Sequence, residues 1–313
     1  MKRERFEQDD REEQTVLLPD GRVLGFAEYG DPGGWPVFFF HGVPGSRYFF
    51  RLADDAAKRQ GARIIAPERP GYGRSEFYSE RSLLDWPDDM RVLAESLSID
   101  RFSVAGISGG GPYASACGVF LREHIECVGL ISGMGPIDHP EVERMITSRQ
   151  KLARFLFRDA PGFVAGLAFA LSLLLRIAPG IVVRIARQVP EPGREVLENP
   201  TTGRQICEGF SEAFRGGTRG VVLDIRLLTR PWGFSLREVT VPVFLWHGEQ
   251  DFDVPVLLAR LVAETLPEVE AQFLPGAGHA WIISNFETVL RKLVPRNSEE
   301  RGRQLRVAAR LDQ

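Results

Sequence analysis

Ser108 stands in Gly106-Ile107-Ser108-Gly109-Gly110, a G-x-S-x-G run set between the apolar stretch RFSVAGI and a segment of helical spacing. A serine on such a strand-to-helix turn is a candidate nucleophile. The turn is so sharp that side chains two positions either side of the serine would collide, so Gly106 and Gly110 satisfy a steric demand, and Pro112 suits the first turn of the helix. A phosphate cradle is the competing reading of a glycine-rich loop. Gly106-x-x-Gly109-Gly110-Gly111 lacks the G-x-G-x-x-G spacing, its strand is not the first of its unit, and no G-K-[ST] follows.

A serine hydroxyl is a poor nucleophile at neutral pH and needs a general base, itself held by an acid that sets its tautomer. Of five histidines, His279 is the candidate base, because Leu274-Pro-Gly-Ala-Gly-His279 follows the last expected strand. His41 and His247 each precede a glycine at a strand end and read as loop residues, while His124 and His139 read as peripheral. No histidine pair has helix-face spacing, so no metal site is expected. For the acid, strand PVFLW runs into His247-Gly248-Glu249-Gln250-Asp251-Phe252-Asp253. Asp251 comes first after the turn and is the choice, with Asp253 a close rival and Asp138 a weaker one. The oxyanion of a tetrahedral intermediate needs backbone N–H donors. Gly109 supplies one, and Val43 of His41-Gly42-Val43-Pro44-Gly45 supplies a second, since Pro44 has none.

The elements around these residues alternate. A hairpin is expected over Thr15–Leu18 and Arg22–Tyr29 about Pro19-Asp20-Gly21. Continuous apolar strands are expected at Pro36–Phe40, Arg63–Pro67, Arg101–Ile107 and Cys127–Ser132, with helices at Ser46–Gln60, Leu83–Leu97 and Gly110–His124 between them. After a stretch without a convincing strand, the alternation resumes with strand Pro242–Trp246, helix Val256–Leu266, strand Ala271–Leu274 and helix Asn285–Leu293. This pattern predicts an α/β fold, a parallel sheet flanked by helices. Its core comprises residues 15–133 and 235–295, interrupted by a helical cap at 134–234. Residues 1–14 and 296–313 read as charged tails.

With 39 Lys and Arg against 42 Asp and Glu, the net charge is −3, which excludes a strongly basic nucleic-acid binder. Cys117, Cys127 and Cys207 form no C-x-x-C pair and support neither a disulfide framework nor a cysteine zinc site, so a reducing, cytoplasmic setting is expected. The first fifteen residues lack the apolar stretch of a secretory signal. Gly162–Val183 is apolar for 14 residues before Arg176, too short to span a bilayer, and reads as a buried or substrate-facing helix in preference to a membrane-associated one. With Phe155, Phe157, Phe163, Phe169 and Leu173–Leu175, it suggests an apolar cap and an apolar or aromatic ester substrate.

HGVPG, ERPGYGRS from Glu68 to Ser75, GISGG, HGEQDFDVP and GAGH together resemble the α/β-hydrolase superfamily. The resemblance implies an eight-stranded, mostly parallel sheet, a cap from the insertion, and hydrolysis by Ser108, Asp251 and His279 without a cofactor. Epoxide hydrolases and haloalkane dehalogenases are similar in these loops but carry aspartate where Ser108 stands. Proline iminopeptidases are also similar, but usually show tryptophan where this chain has Gly109. The expected activity is therefore serine-dependent cleavage of a carboxylic ester. Carbon–carbon bond hydrolysis, perhydrolysis, peptide hydrolysis and non-catalytic ligand reception are the alternatives.

Overall fold

Trp35–Phe40 is buried along its whole length, and its side chains divide between two cores: Phe38 and Phe40 pack on one side of the sheet, Val37 and Phe39 on the other. That is why the run is apolar without alternation. Burying such a side chain contributes about 1.5–3 kcal/mol. The computed structural model describes residues 11–137, 142, 148–188 and 192–295. Asp138, His139, residues 1–10 and the tail 296–313 lie outside the described residues.

The eight strands are β1 (Gln14–Leu17), β2 (Val23–Gly30), β3 (Trp35–Phe40), β4 (Ala62–Pro67), β5 (Phe102–Ile107), β6 (Ile125–Ile131), β7 (Val243–Gly248) and β8 (Val269–Leu274). They form one sheet in the order β1-β2-β4-β3-β5-β6-β7-β8. β2 is antiparallel to β1 and β4, and every other pairing is parallel. The expected eight-stranded, mostly parallel sheet is thus present.

Helices α1 (Asp54–Gln60), α2 (Trp86–Ser96) and α3 (Gly111–Phe120) connect β3 to β4, β4 to β5 and β5 to β6, α9 (Val256–Thr265) connects β7 to β8, and α10 (Phe286–Leu293) follows β8. Between β6 and β7 lie α4 (Ser148–Asp159), α5 (Pro161–Ile177), α6 (Pro179–Gln188), α7 (Pro200–Ala213) and α8 (Arg219–Leu228), with no strand among the described residues there.

Three expectations are corrected. The helix expected over Ser46–Gln60 is two pieces, a 3-10 turn at Arg47–Ala53 and then α1. Ser46 caps the first piece by accepting from the Tyr48 N–H, and the acidic pair Asp54-Asp55 opens the second. Residues 11–14 are not tail. Glu12 is buried, its carbonyl accepts from Arg47 Nε at 2.6 Å, and Glu13 pairs with Arg47 and Arg74.

The third correction concerns α5. It buries only the stripe Val164, Ala168, Ser172 and Leu175, while Phe163, Leu167, Phe169, Leu173 and Ile177 are exposed. The Pro179 break that follows bends the chain by 114° between α5 and α6.

Arg47 is fully buried and joins separate parts of the chain. It donates to Glu68 at 2.8 Å, to Glu212 on α7 at 2.6 Å and to Glu13 at 2.6 Å. Burial pushes the Glu68 carboxyl up even with Arg47 beside it. An unpartnered buried carboxylate is costly, so Arg47→Ala is expected to destabilise the protein by about 3–5 kcal/mol, read as a lowered urea midpoint. Equal midpoints would show that this cluster contributes little.

Candidate active site

Parallel strands deliver their following loops to one edge of the sheet. The loops after β3, β5, β7 and β8 meet there around a cavity of about 750 Å³ lined by Val43, Ser108, Gly109, Asp253 and His279. Helices of the insertion complete the lining with Phe157, Val182, Val183, Ala186, Phe210 and Leu228. Of the aromatic and aliphatic insertion residues expected to face a substrate, only Phe157 lines the cavity among the described residues; α6, not α5, supplies the apolar wall.

Ser108 has φ +54°, a left-handed conformation that a non-glycine residue adopts only where its surroundings hold it. The chain leaves β5, makes a 3-10 turn at Ser108–Gly110 and enters α3. A Cβ on Gly106 would run into the Gly110 backbone, and one on Gly110 into the carbonyl of Phe40. Neither position has room for a side chain. Ser108 lies under the N-terminal end of α3, where unpaired N–H groups favour developing negative charge.

Asp251 is buried, and its two oxygens have separate partners. Oδ1 accepts from the Asp253 N–H at 3.0 Å and the Val254 N–H at 2.7 Å, while Oδ2 accepts from His279 Nδ1 at 2.8 Å. This bond places the proton on Nδ1 and leaves Nε2 as the basic nitrogen. Asp253 is exposed and serves Asp251 through its backbone. Of the two, Asp251 folds inward, contacts His279 and takes the N–H groups of the residues behind it.

The other histidines have different surroundings. His247 Nε2 lies 2.8 Å from the Val254 carbonyl and 3.4 Å from Asp251 Oδ2, and burial lowers its pKa. His41 is wholly buried, with Nδ1 at 2.9 Å from the Gly42 carbonyl, and burial together with Arg69 holds its pKa well below the usual imidazole range. His124 is half-buried just before β6, beside Asp100. No cluster of metal-ligating side chains occurs among the described residues.

The loop after β3 packs closely against Ser108–Gly110. Gly109 and Val43 are neighbours, since a Cβ on Gly109 would lie 2.7 Å from Val43 Cγ2 and 3.0 Å from Leu228 Cδ1. A side chain at this position would have to displace Val43 and Leu228. Arg69 donates to the carbonyls of His41 at 2.6 Å and Gly42 at 2.9 Å. In a planar trans peptide the N–H points opposite to the C=O. By holding the Gly42 carbonyl, Arg69 therefore turns the Val43 N–H away from itself.

Arg69 is in turn held by Asp224 of α8, a residue without a role in the sequence reading. The Asp224 carboxylate is wholly buried and accepts from Arg69 Nε at 2.6 Å, Arg81 at 2.5 Å, Tyr72 at 2.8 Å and Tyr113 at 2.6 Å. Burial alone would raise its pKa, but Arg69 and Arg81 outweigh burial and hold it below the usual carboxylate range.

A scan for known families matches residues 37–291 to the Alpha/beta hydrolase family. The chain belongs to that family. Among curated relatives, a bifunctional esterase/perhydrolase of Acinetobacter calcoaceticus is 22% identical, covering 89% of this chain and 97% of its own. An epoxide hydrolase of Caballeronia sordidicola is 26% identical and covers 83% of each chain. Among solved structures, a thermophilic esterase from Thermogutta terrifontis superposes with a TM-score of 0.61 at 21% identity, over 94% of this chain and 99% of that one.

Asp224→Asn is expected to lower stability at neutral pH by about 3–5 kcal/mol, because Arg69 and Arg81 lose their shared anion. The folded-state pKa of Asp224 is depressed, so its contribution is complete above the ordinary carboxylate value of about 3.9 and disappears as pH falls through the folded value. Urea midpoints should differ widely at pH 7 and converge in strong acid. A gap unchanged by acid would contradict an ionised Asp224.

Proposed function

We propose that the protein is a serine hydrolase of carboxylic esters that carry an apolar group. The observation that carries this reading is the 2.8 Å contact of His279 Nδ1 with buried Asp251, in the cavity that Ser108 also lines. In the proposed reaction, Ser108 Oγ attacks the acyl carbon while His279 Nε2 takes its proton. Asp251 keeps the imidazole in the required tautomer and stabilises its cation. The tetrahedral oxyanion is bound by the N–H groups of Val43 and Gly109. Return of the proton from His279 expels the alcohol and leaves an acyl-enzyme. Water then attacks this intermediate through the same groups, releasing the acid.

The cavity wall supports an apolar ester over a peptide with a free amino terminus. Among the described lining residues the only carboxylate is Asp253, and most of the remainder are aliphatic or aromatic. A cationic substrate would lack a buried counter-ion. An alkyl-enzyme pathway is disfavoured because Ser108 occupies the elbow, where that chemistry needs a carboxylate.

Hydrolysis of p-nitrophenyl esters from acetate to palmitate tests the reading. The wild type should cleave them, with an optimum beyond acetate, and Ser108→Ala should lose on the order of a million-fold in turnover while keeping its circular dichroism spectrum. Cleavage that persists in the folded variant would remove Ser108 from the mechanism. An inert wild type would turn attention to carbon–carbon bonds, peptides or perhydrolysis.

A further inference from the structure

We propose that the α4–α6 face is a docking surface for an anionic lipid bilayer, on which the protein lies without crossing it. Thirteen large apolar side chains are exposed among the described residues, and nine of them fall between Leu152 and Ile185. They are Leu152 and Phe155 on α4, five residues of α5, and Ile181 and Ile185 on α6. Scattered exposed apolar residues need no explanation, but this concentration does. Elsewhere among the described residues there are four.

The charge of the same segment selects the partner. Residues 148–188 contain seven basic residues, Arg149, Lys151, Arg154, Arg158, Arg176, Arg184 and Arg187, and one acid, Asp159, for a net +6. The whole chain is −3, so the remainder is −9. An anionic surface attracts this face and repels the others, which orients the molecule. A second copy docked face to face would set +6 against +6. A segment that combines exposed apolar residues with an excess of basic ones has the composition of helices that lie in a membrane interface.

A surface position suits these helices, because the α5–α6 pair, which only together reaches the length and apolarity of a span, is sharply bent at its break. No single helix among the described residues is long and apolar enough to cross a membrane, and α5 and α6 meet at 114°. On α6, Val182, Val183 and Ala186 line the cavity, while Ile181 and Ile185 on the same helix are exposed. A bilayer on this face would therefore lie about one helix diameter, roughly 10 Å, from the cavity. The docking does not depend on the hydrolase reading; if both hold, the surface supplies apolar esters directly to the site.

The test is flotation of the full chain with vesicles of phosphatidylcholine alone or mixed with phosphatidylglycerol. Ser108→Ala is run in parallel, so that loss of catalysis and loss of binding are separable. Binding is expected to the mixed vesicles, to weaken with salt, and to be retained by Ser108→Ala. The combined variant Phe163→Ser, Leu167→Ser, Leu173→Ser and Ile177→Ser should bind about tenfold or more weakly, as should Arg176→Glu with Arg184→Glu. Both variants should keep the wild-type circular dichroism spectrum, since all six positions are exposed. Failure to bind any vesicle would overturn the proposal. So would a lipid-free dimer in sedimentation velocity that the serine variant abolishes, because the face would then belong to a second copy.

Discussion

The Asp224 carboxylate is the interaction on which the arrangement of this site depends. It is wholly buried, yet ionised, because two guanidinium groups and two phenols surround it. The four partners come from three parts of the chain: Arg69 and Tyr72 from the loop after β4, Arg81 from the approach to α2, and Tyr113 from α3. Asp224 itself belongs to α8, within the insertion. One anion therefore joins the helical insertion to the sheet. A buried ion pair of this kind is poor evidence for net stability, because well-packed apolar groups could replace it. What the apolar replacement could not do is hold two carbonyl groups, as Arg69 does for His41 and Gly42.

That second task links the network to chemistry. An oxyanion donor is useful only if its N–H is aimed before the charge develops. The Val43 N–H, the second donor proposed here, is aimed through its own peptide plane, by Arg69 on the preceding carbonyl. The imidazole of His279 is aimed in a similar way. Asp251 holds it at one nitrogen while the backbone behind Asp251 holds the carboxylate. In both cases a charged side chain orients a group that has no charge of its own in the resting state. The apolar cavity wall lowers the local dielectric, which strengthens both effects.

Much of this was legible in the residues. The strand-to-helix setting of Ser108 is visible in the sequence, and the structure leaves no room for a side chain at Gly106 or Gly110. Strand ends in the order Ser108, Asp251, His279 brought three distant segments to one sheet edge. Asp224 was not found, although a signal existed. It lies at helical spacing between Val221 and Leu228, on the buried stripe of α8, where an acid needs a partner. The partners are separated from it by more than a hundred residues, and no local pattern pairs them. Glu12 and Glu13 escaped for the same reason, since their acidic neighbours read as solvated until Arg47 is seen behind them. The apolar run of α5 misled in the opposite direction. Hydrophobicity predicted burial, but the helix lies on the outside of the insertion and covers the core with one stripe only.

A fluorophosphonate reacts with a serine only when a neighbouring base activates it and an oxyanion site receives the phosphoryl oxygen. Its reaction with this protein therefore reads the nucleophile, the base and the N–H donors in one measurement. The labelled protein would be digested and the modified peptide identified by mass spectrometry. The account predicts one adduct per chain, on Ser108, and none in Ser108→Ala. An adduct on another residue, or a folded wild type that never reacts, would contradict it.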